Sequence, residues 1–181
     1  MAYTLDQFCK DAHDALKNTP GRAGREKVRV QLEALLKDKD FVAETLGETA
    51  PHGARVLYED PELDFVVLGY IKDEGHSSPP HDHGPSWAIY GQADAYTDQT
   101  EWRRVDGGDG AGDAKVEEVR SYRLTPGTAG LYDIGDIHSI AYPDGARYVR
   151  VTGTDLDHVR RLRFDTKANK AVIIESASAS N

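Results

Sequence analysis

The chain has 181 residues, a formal charge of −9, 39% hydrophobic and 29% charged residues, enough for one domain with a sizeable core. The acidic balance argues against a general nucleic-acid or anionic-membrane surface. No run of eighteen apolar residues is present, and the first residues do not read as a secretory leader. The one cysteine, Cys9, excludes an internal disulfide and fits a reducing, cytoplasmic compartment.

Helical signals are confined to the front. Thr4 and Gln7 form a capping box, and Leu5, Phe8, Cys9, Ala12, Ala15 and Leu16 follow at spacings of three and four. "NTPGRAG" ends this helix, and a second is predicted from about Arg25 to Leu46 on a similar stripe. From about residue 54 the chain becomes short apolar runs separated by turns. "LDFVVLGYI", "SWAIYGQADAY", "VEEVRSYRL", "AGLYDI", "RYVRVTG" and "AVIIES" read as strands, and "YPDGAR" as a turn between two of them. "DGGDGAGDA" reads as a flexible loop, since it has no large apolar residue to anchor it. The expected fold is mainly β: a closed or double-sheet barrel over about 54–175 preceded by two α-helices over about 1–50, all one domain. The small polar residues 176–181 read as a disordered tail.

The chemistry concentrates in "EGHSSPPHDHGPSW", residues 74–87, which holds three of the seven histidines. On a strand His81 and His83 share a face and Asp82 takes the other. Two imidazoles seldom hold a divalent metal tightly, so a third ligand is needed. "YDIGDIHSIAY" offers His138, after a glycine turn at the start of a strand. The stiff Pro79-Pro80 pair leads into the first two ligands.

The spacing resembles the cupin family. Gly75, five residues, His81, one residue and His83 match the first half of its first motif. Gly127, five residues, Asp133-Ile134-Gly135, two residues and His138 match its second, with Asp133 where proline is usual. The resemblance implies a double-stranded β-helix. The glutamate many cupins carry four or five positions after the second histidine is missing, because Trp87 and Ala88 stand there. What remains is a neutral site of His81, His83 and His138. It leaves a cation's charge uncompensated and favours an anionic ligand at the open positions. Imidazole suits iron, nickel, copper and zinc alike.

"EGHSSPPHDH" further resembles the first motif of the cysteine dioxygenase family, cupins that oxidise thiols to sulfinates with Fe(II) and O2. That resemblance implies Fe(II) as cofactor (with Ni, Zn, Mn or Cu as alternatives), O2 as co-substrate, and a small thiol carrying a carboxylate or amine as partner. It places Arg55 where the family holds its substrate carboxylate, as a guanidinium can through paired hydrogen bonds. His76 is expected to orient a ligand imidazole, Trp87 and Tyr90 to line the pocket, and Tyr142, or else Tyr148 or Tyr90, to supply a phenol. Two family features are absent. Ala88 stands where some members carry a cross-linking cysteine, and "RYVRVTGT" lacks the histidine of the Ser-x-His-x-Tyr relay, with Arg150 and Thr152 near those places. These departures leave open another metal-dependent cupin reaction (isomerase, lyase or non-thiol dioxygenase) or a non-catalytic metal- or ligand-binding cupin.

Overall fold

A computed structural model describes residues 3–175. Three helices come first: α1 (Leu5–Asn18), α2 (Arg22–Leu36) and α3 (Lys39–Leu46). The long second helix read from the sequence is therefore two. Asp38 interrupts it because its carboxylate accepts from the backbone N–H groups of Asp40 and Phe41, an N-cap that starts a new helix. At the front, Thr4 caps α1 by accepting from the Gln7 N–H, one half of the capping box, while the Gln7 side chain donates to Asp11.

Twelve strands follow: β1 (Gly53–Glu59), β2 (Val66–Ile71), β3 (His76–Ser77), β4 (Ala88–Asp94), β5 (Thr97–Arg104), β6 (Gly112–Asp113), β7 (Val116–Leu124), β8 (Ala129–Tyr132), β9 (Ile137–Tyr142), β10 (Arg147–Thr152), β11 (Arg161–Asp165) and β12 (Lys170–Ile174). One antiparallel sheet runs β1-β2-β10-β4-β8. Facing it are β3-β9-β5-β7 and the smaller β11-β12-β6. The result is the double-sheet, mainly β fold expected from the sequence, with helices laid on the outside of its five-stranded sheet.

Sheet parity divides the five-stranded sheet into two working faces. Ile89, Val149, Val151 and Val67 point outward and share a core with Phe8, Val28, Leu32, Leu35 and Leu46 of the helices. Each such fully buried side chain contributes roughly 1.5–3 kcal/mol of transfer free energy. Gly91 permits the contact, since a Cβ there would lie 2.4 Å from the Leu36 Cδ1. The opposite parity, Tyr70, Ala88, Tyr90, Tyr132 and Tyr148, points into the barrel and meets Ile140 and Tyr142 of the second sheet.

The loop "DGGDGAGDA" is anchored after all, by polar rather than apolar contacts. Arg104 donates to both Asp106 carboxylate oxygens and to the carbonyls of Gly110 and Asp113. Asp106 also accepts from the Lys115 N–H, and Gly112–Asp113 pair with β12. The tail from 176 lies outside the described residues. No helix among those described is long and apolar enough to cross a membrane.

Candidate metal centre

The backbone brings the two histidine segments together directly. His81 and His138 exchange both N–H···O bonds, at 2.8 and 3.0 Å, as an antiparallel hydrogen-bonded pair. Residues so paired send their side chains to the same face. Only His81 is bridged, and the chain then leaves into a turn in which the Ser86 N–H donates to the His83 carbonyl. The alternation read from "HDH" nevertheless holds. Asp82 turns away, its Oδ1 accepting from the N–H groups of Gly84 and Leu162. Gly84 is required here. Its φ is +60°, and a Cβ would stand 2.2 Å from the Arg160 carbonyl oxygen.

His81, His83 and His138 are all buried, and one ligand atom from each lies within 4.8 Å of the others. The Nε2 atoms of His83 and His138 are 3.2 Å apart. Two nitrogens bound to one ion at roughly 2.0–2.1 Å stand roughly 3.0–3.4 Å from each other, so the spacing fits a shared cation. Tautomers are fixed from behind for two of the three. His81 Nδ1 donates to the Pro79 carbonyl (3.0 Å) and His138 Nδ1 to the Gln99 side-chain oxygen (3.2 Å), which frees each Nε2 as a ligand. His83 Nδ1 is buried without a hydrogen-bond partner. Burial pushes the His81 imidazole down to about 4, with the positive charges of Arg161 and Arg150 acting the same way. Burial and the neighbouring imidazoles hold His83 and His138 well below the ordinary histidine range. All three are neutral at pH 7 and ready to ligate.

No carboxylate joins them. The register sets Glu101 opposite His138, but both Glu101 oxygens are held by Arg120 at 2.8 and 2.6 Å. Asp133, where the cupin pattern has proline, pairs with Arg25 and Arg22 on α2. The donor set is three neutral imidazoles, as read from the absence of a glutamate at Trp87 and Ala88.

Behind His138 lies a chain of polar groups that the sequence did not single out. Gln99 is fully buried, and its Oε1 accepts from both His138 and the Tyr132 hydroxyl (2.8 Å), while Tyr132 also meets the Tyr122 hydroxyl at 2.7 Å. The Tyr132 ring lies against His138, with centroids 3.9 Å apart. A lone glutamine in "TDQTEW" carries no motif. Only its place next to Ile140 across β9, two residues from the ligand, reveals its role.

The remaining expected site residues divide. Tyr90 is brought to the histidines, its hydroxyl 3.4 Å from His83 Nε2 and its ring 5.2 Å from that of His138. Trp87 is not: it is three residues from Tyr90, hence on the other face, and it joins the helix-side core with Arg25 over its ring. Arg55 is not either. It stands opposite Gly69 on the helix-facing side and donates to the Thr45 carbonyl. Arg147 donates to the Leu46 carbonyl (2.6 Å), so the two guanidiniums satisfy the free carbonyls closing α3. His76 pairs with Tyr142 on β3 and reaches none of the three ligands; its Nε2 has no hydrogen-bond partner. The orienting role expected of it is taken by Pro79 and Gln99. Tyr142 shares the face of His138 but lies four residues along β9, about 13 Å by strand rise. It packs with Tyr148 and His76 and has no ring contact with any of the three histidines.

Two arginines unassigned by any motif lie beside the site instead. Arg150, opposite Tyr90 on β10, has its guanidinium 5.1 Å over the Tyr70 ring. Arg161 opens β11, next to the Leu162 that clips the histidine loop, and is 3% exposed.

No family model matches the chain, and no curated protein matches it in sequence. Solved structures resemble it at low identity. KdgF from a Halomonas species is 16% identical with a TM-score of 0.39, covering 55% of this chain and 74% of that one. The cupin domain of Cnp3 from Schizosaccharomyces pombe is 12% identical with a TM-score of 0.41, covering 56% and 64%. An oxalate oxidase bound to the substrate analogue glycolate is 18% identical with a TM-score of 0.40, covering 57% of this chain and 52% of that one. The likeness is one of fold.

Proposed function

We propose that the chain is a mononuclear non-haem iron dioxygenase of the thiol dioxygenase kind, converting a small thiol R–SH and O2 into the sulfinic acid R–SO2H. Both oxygen atoms end on sulfur, which gives up four electrons as O2 takes up four, so no further reductant is needed. The observation that carries this reading is the convergence of three neutral imidazoles with no carboxylate among them. A divalent ion held by neutral ligands keeps its charge for an anionic substrate atom such as a thiolate, and Fe(II) supplies the redox chemistry with O2.

The protein's own groups do the rest. Pro79 and Gln99 hold His81 and His138 in the tautomers that present Nε2. The barrel wall of Tyr90, Tyr132 and Tyr148 excludes bulk water. The Tyr90 hydroxyl is placed to donate to a group bound next to His83. Arg150 stands near the place of the family's relay histidine, so proton movement here does not follow that relay. This absence favours a second reading with the same metal site, a dioxygenase for a non-thiol acid.

The test is O2 uptake by Fe(II)-loaded protein with cysteine, cysteamine, 3-mercaptopropionate and a panel of non-thiol acids. Sulfinate formed one-to-one with O2 consumed is the expected result. Uptake only with non-thiol acids selects the second reading. No uptake with any compound, in protein that binds one metal per chain, overturns both.

A further inference from the structure

We propose that Arg150 and Arg161 together form the anchor for the substrate's acid group, in place of Arg55, and that this site accepts a small acid carrying no ammonium. The inference rests on the reading of the metal centre above but names the substrate class more narrowly.

Position is the first argument. Arg150 is the cross-strand neighbour of Tyr90, whose hydroxyl reaches His83. Arg161 lies against the turn that carries His83, its Cγ 3.6 Å from where a Cβ of Gly84 would be. Both guanidiniums exert their charge on His81 and His83. A ligand atom bound to the histidines and an acid group a few bonds away would therefore span the metal site and the arginine pair.

Both guanidiniums also carry unpartnered donors. The Nε of Arg150 and the Nε and Nη2 of Arg161 are buried with no hydrogen-bond partner. Among the described residues neither guanidinium has an ion-pair partner. The acids that act on Arg161 at longer range, Asp82 and Asp157, are otherwise placed. Asp82 holds the N–H groups of Gly84 and Leu162, and Asp157 is exposed on the short turn Leu156–His158. Removing a guanidinium from water without a counter-ion is costly, and planar paired donors match a carboxylate or sulfinate. Arg150 is intermediate in exposure, while Arg161 is buried.

Charge decides against an amine. Two guanidiniums repel an ammonium, imidazoles engaged with a metal offer it no acceptor, and Glu101, the nearest carboxylate by register, is held by Arg120. A thiol acid without an amine presents two negative ends to two positive ones. Cysteine adds a misplaced positive charge, and cysteamine has no acid at all.

The test is calorimetric binding of 3-mercaptopropionate, cysteine and cysteamine to Zn(II)-loaded protein under argon, where no turnover occurs. 3-Mercaptopropionate is expected to bind at least tenfold more tightly than cysteine, and cysteine more tightly than cysteamine. Arg150→Met and Arg161→Met are each expected to weaken 3-mercaptopropionate roughly 10- to 100-fold, the scale of a charge-assisted hydrogen bond, while Arg55→Met leaves it unchanged. Where a methionine variant fails to fold, the lysine variants, which keep the charge but lose the fork, are expected to weaken binding at least threefold. Equal or tighter binding of cysteine, or unchanged affinity in both the Arg150 and Arg161 variants, overturns the proposal. Selective, arginine-dependent binding without O2 uptake in the Fe(II) protein would instead leave this anchor standing and remove only the thiol dioxygenase reading.

Discussion

Gln99→Leu should separate metal affinity from stability, and the reason can be worked from the hydrogen bonds. The substitution removes one acceptor serving two donors, His138 Nδ1–H and the Tyr132 hydroxyl. Tyr132 can turn its proton to the Tyr122 hydroxyl, 2.7 Å away, so it is not orphaned. His138 Nδ1–H is orphaned, at a cost of roughly 1–3 kcal/mol. Against this, the wild-type Gln99 Nε2 is itself buried without a partner, and leucine abolishes that penalty of the same size. The net change in stability of the metal-free protein is therefore about 1 kcal/mol or less. Metal affinity behaves differently. Without an acceptor at Nδ1, the free His138 can move its proton to Nε2 and donate it to His83 Nε2, 3.2 Å away. Metal must then displace that proton, and loss of an orienting partner of this kind typically costs 10- to 100-fold in affinity. Urea unfolding of the metal-free protein and chelator competition with Co(II) or Zn(II) measure the two quantities. Affinity within threefold of wild type in the folded variant would refute the assignment of Gln99 as the group that orients His138.

Gly84→Ala forces a Cβ to 2.2 Å from the Arg160 carbonyl at a φ of +60°. It should destabilise by roughly 1–3 kcal/mol and lower the metal stoichiometry, because the turn carries His83; metal analysis of the folded fraction checks the second effect. His138→Ala should abolish stoichiometric metal, while His76→Ala should leave it unchanged, since His76 reaches none of the ligands. Asp60 gives a pH signature. Burial raises its carboxyl, but bonds from His13, Leu63, Glu62 and Tyr58 outweigh this and leave it lowered. A lowered folded value stabilises above the unfolded value of about 3.9 and is lost as pH falls through the folded one. Asp60→Asn should therefore lose roughly 1.5–3 kcal/mol at pH 7 and show a flatter acid limb in unfolding against pH. An unchanged limb refutes the clamp.

The three converging histidines were legible because each stands in a spaced motif that survives without knowledge of the fold. The front helices and the apolar strands β2, β4, β7, β8, β10 and β12 were legible from periodicity, whereas β1, β5 and β11 carry too many polar residues to show an apolar run, and Asp38 splits a helix by capping inside an apolar stripe. Arg55 and Trp87 share one outcome: both take the helix-facing side of the sheet, away from the histidines. For Trp87 the parity was readable, since it is an odd number of residues from Tyr90 on what reads as one strand. For Arg55 it was not, because its face depends on pairing with Gly69 across a turn. Tyr142 has the right face and the wrong height. Gln99, Arg150 and Arg161 were hidden because their partners come from other strands, and a single polar residue in a strand reads as solvent-facing until its neighbours are known.

The phenols of the interior bear on why the arginine pair can persist unneutralised. A buried guanidinium needs compensation, and a carboxylate would give it. It would also occupy the fork and remove the positive charge that an acid substrate needs. Tyrosine compensates without neutralising. The Tyr70 ring under Arg150 supplies a cation–π contact worth roughly 0.5–2 kcal/mol, and a hydrogen bond to the Tyr90 hydroxyl opposes the effect of burial on that guanidinium. Burial pushes the Tyr148 hydroxyl well above its ordinary range and that of Tyr70 up to about 12, so both stay neutral beside the charge. At the candidate metal centre, neutral imidazoles would likewise hold a cation without cancelling it. An interior of phenols and imidazoles, with Glu101 held by Arg120 and Asp82 by backbone N–H groups, leaves the positive charge of the arginine pair uncancelled.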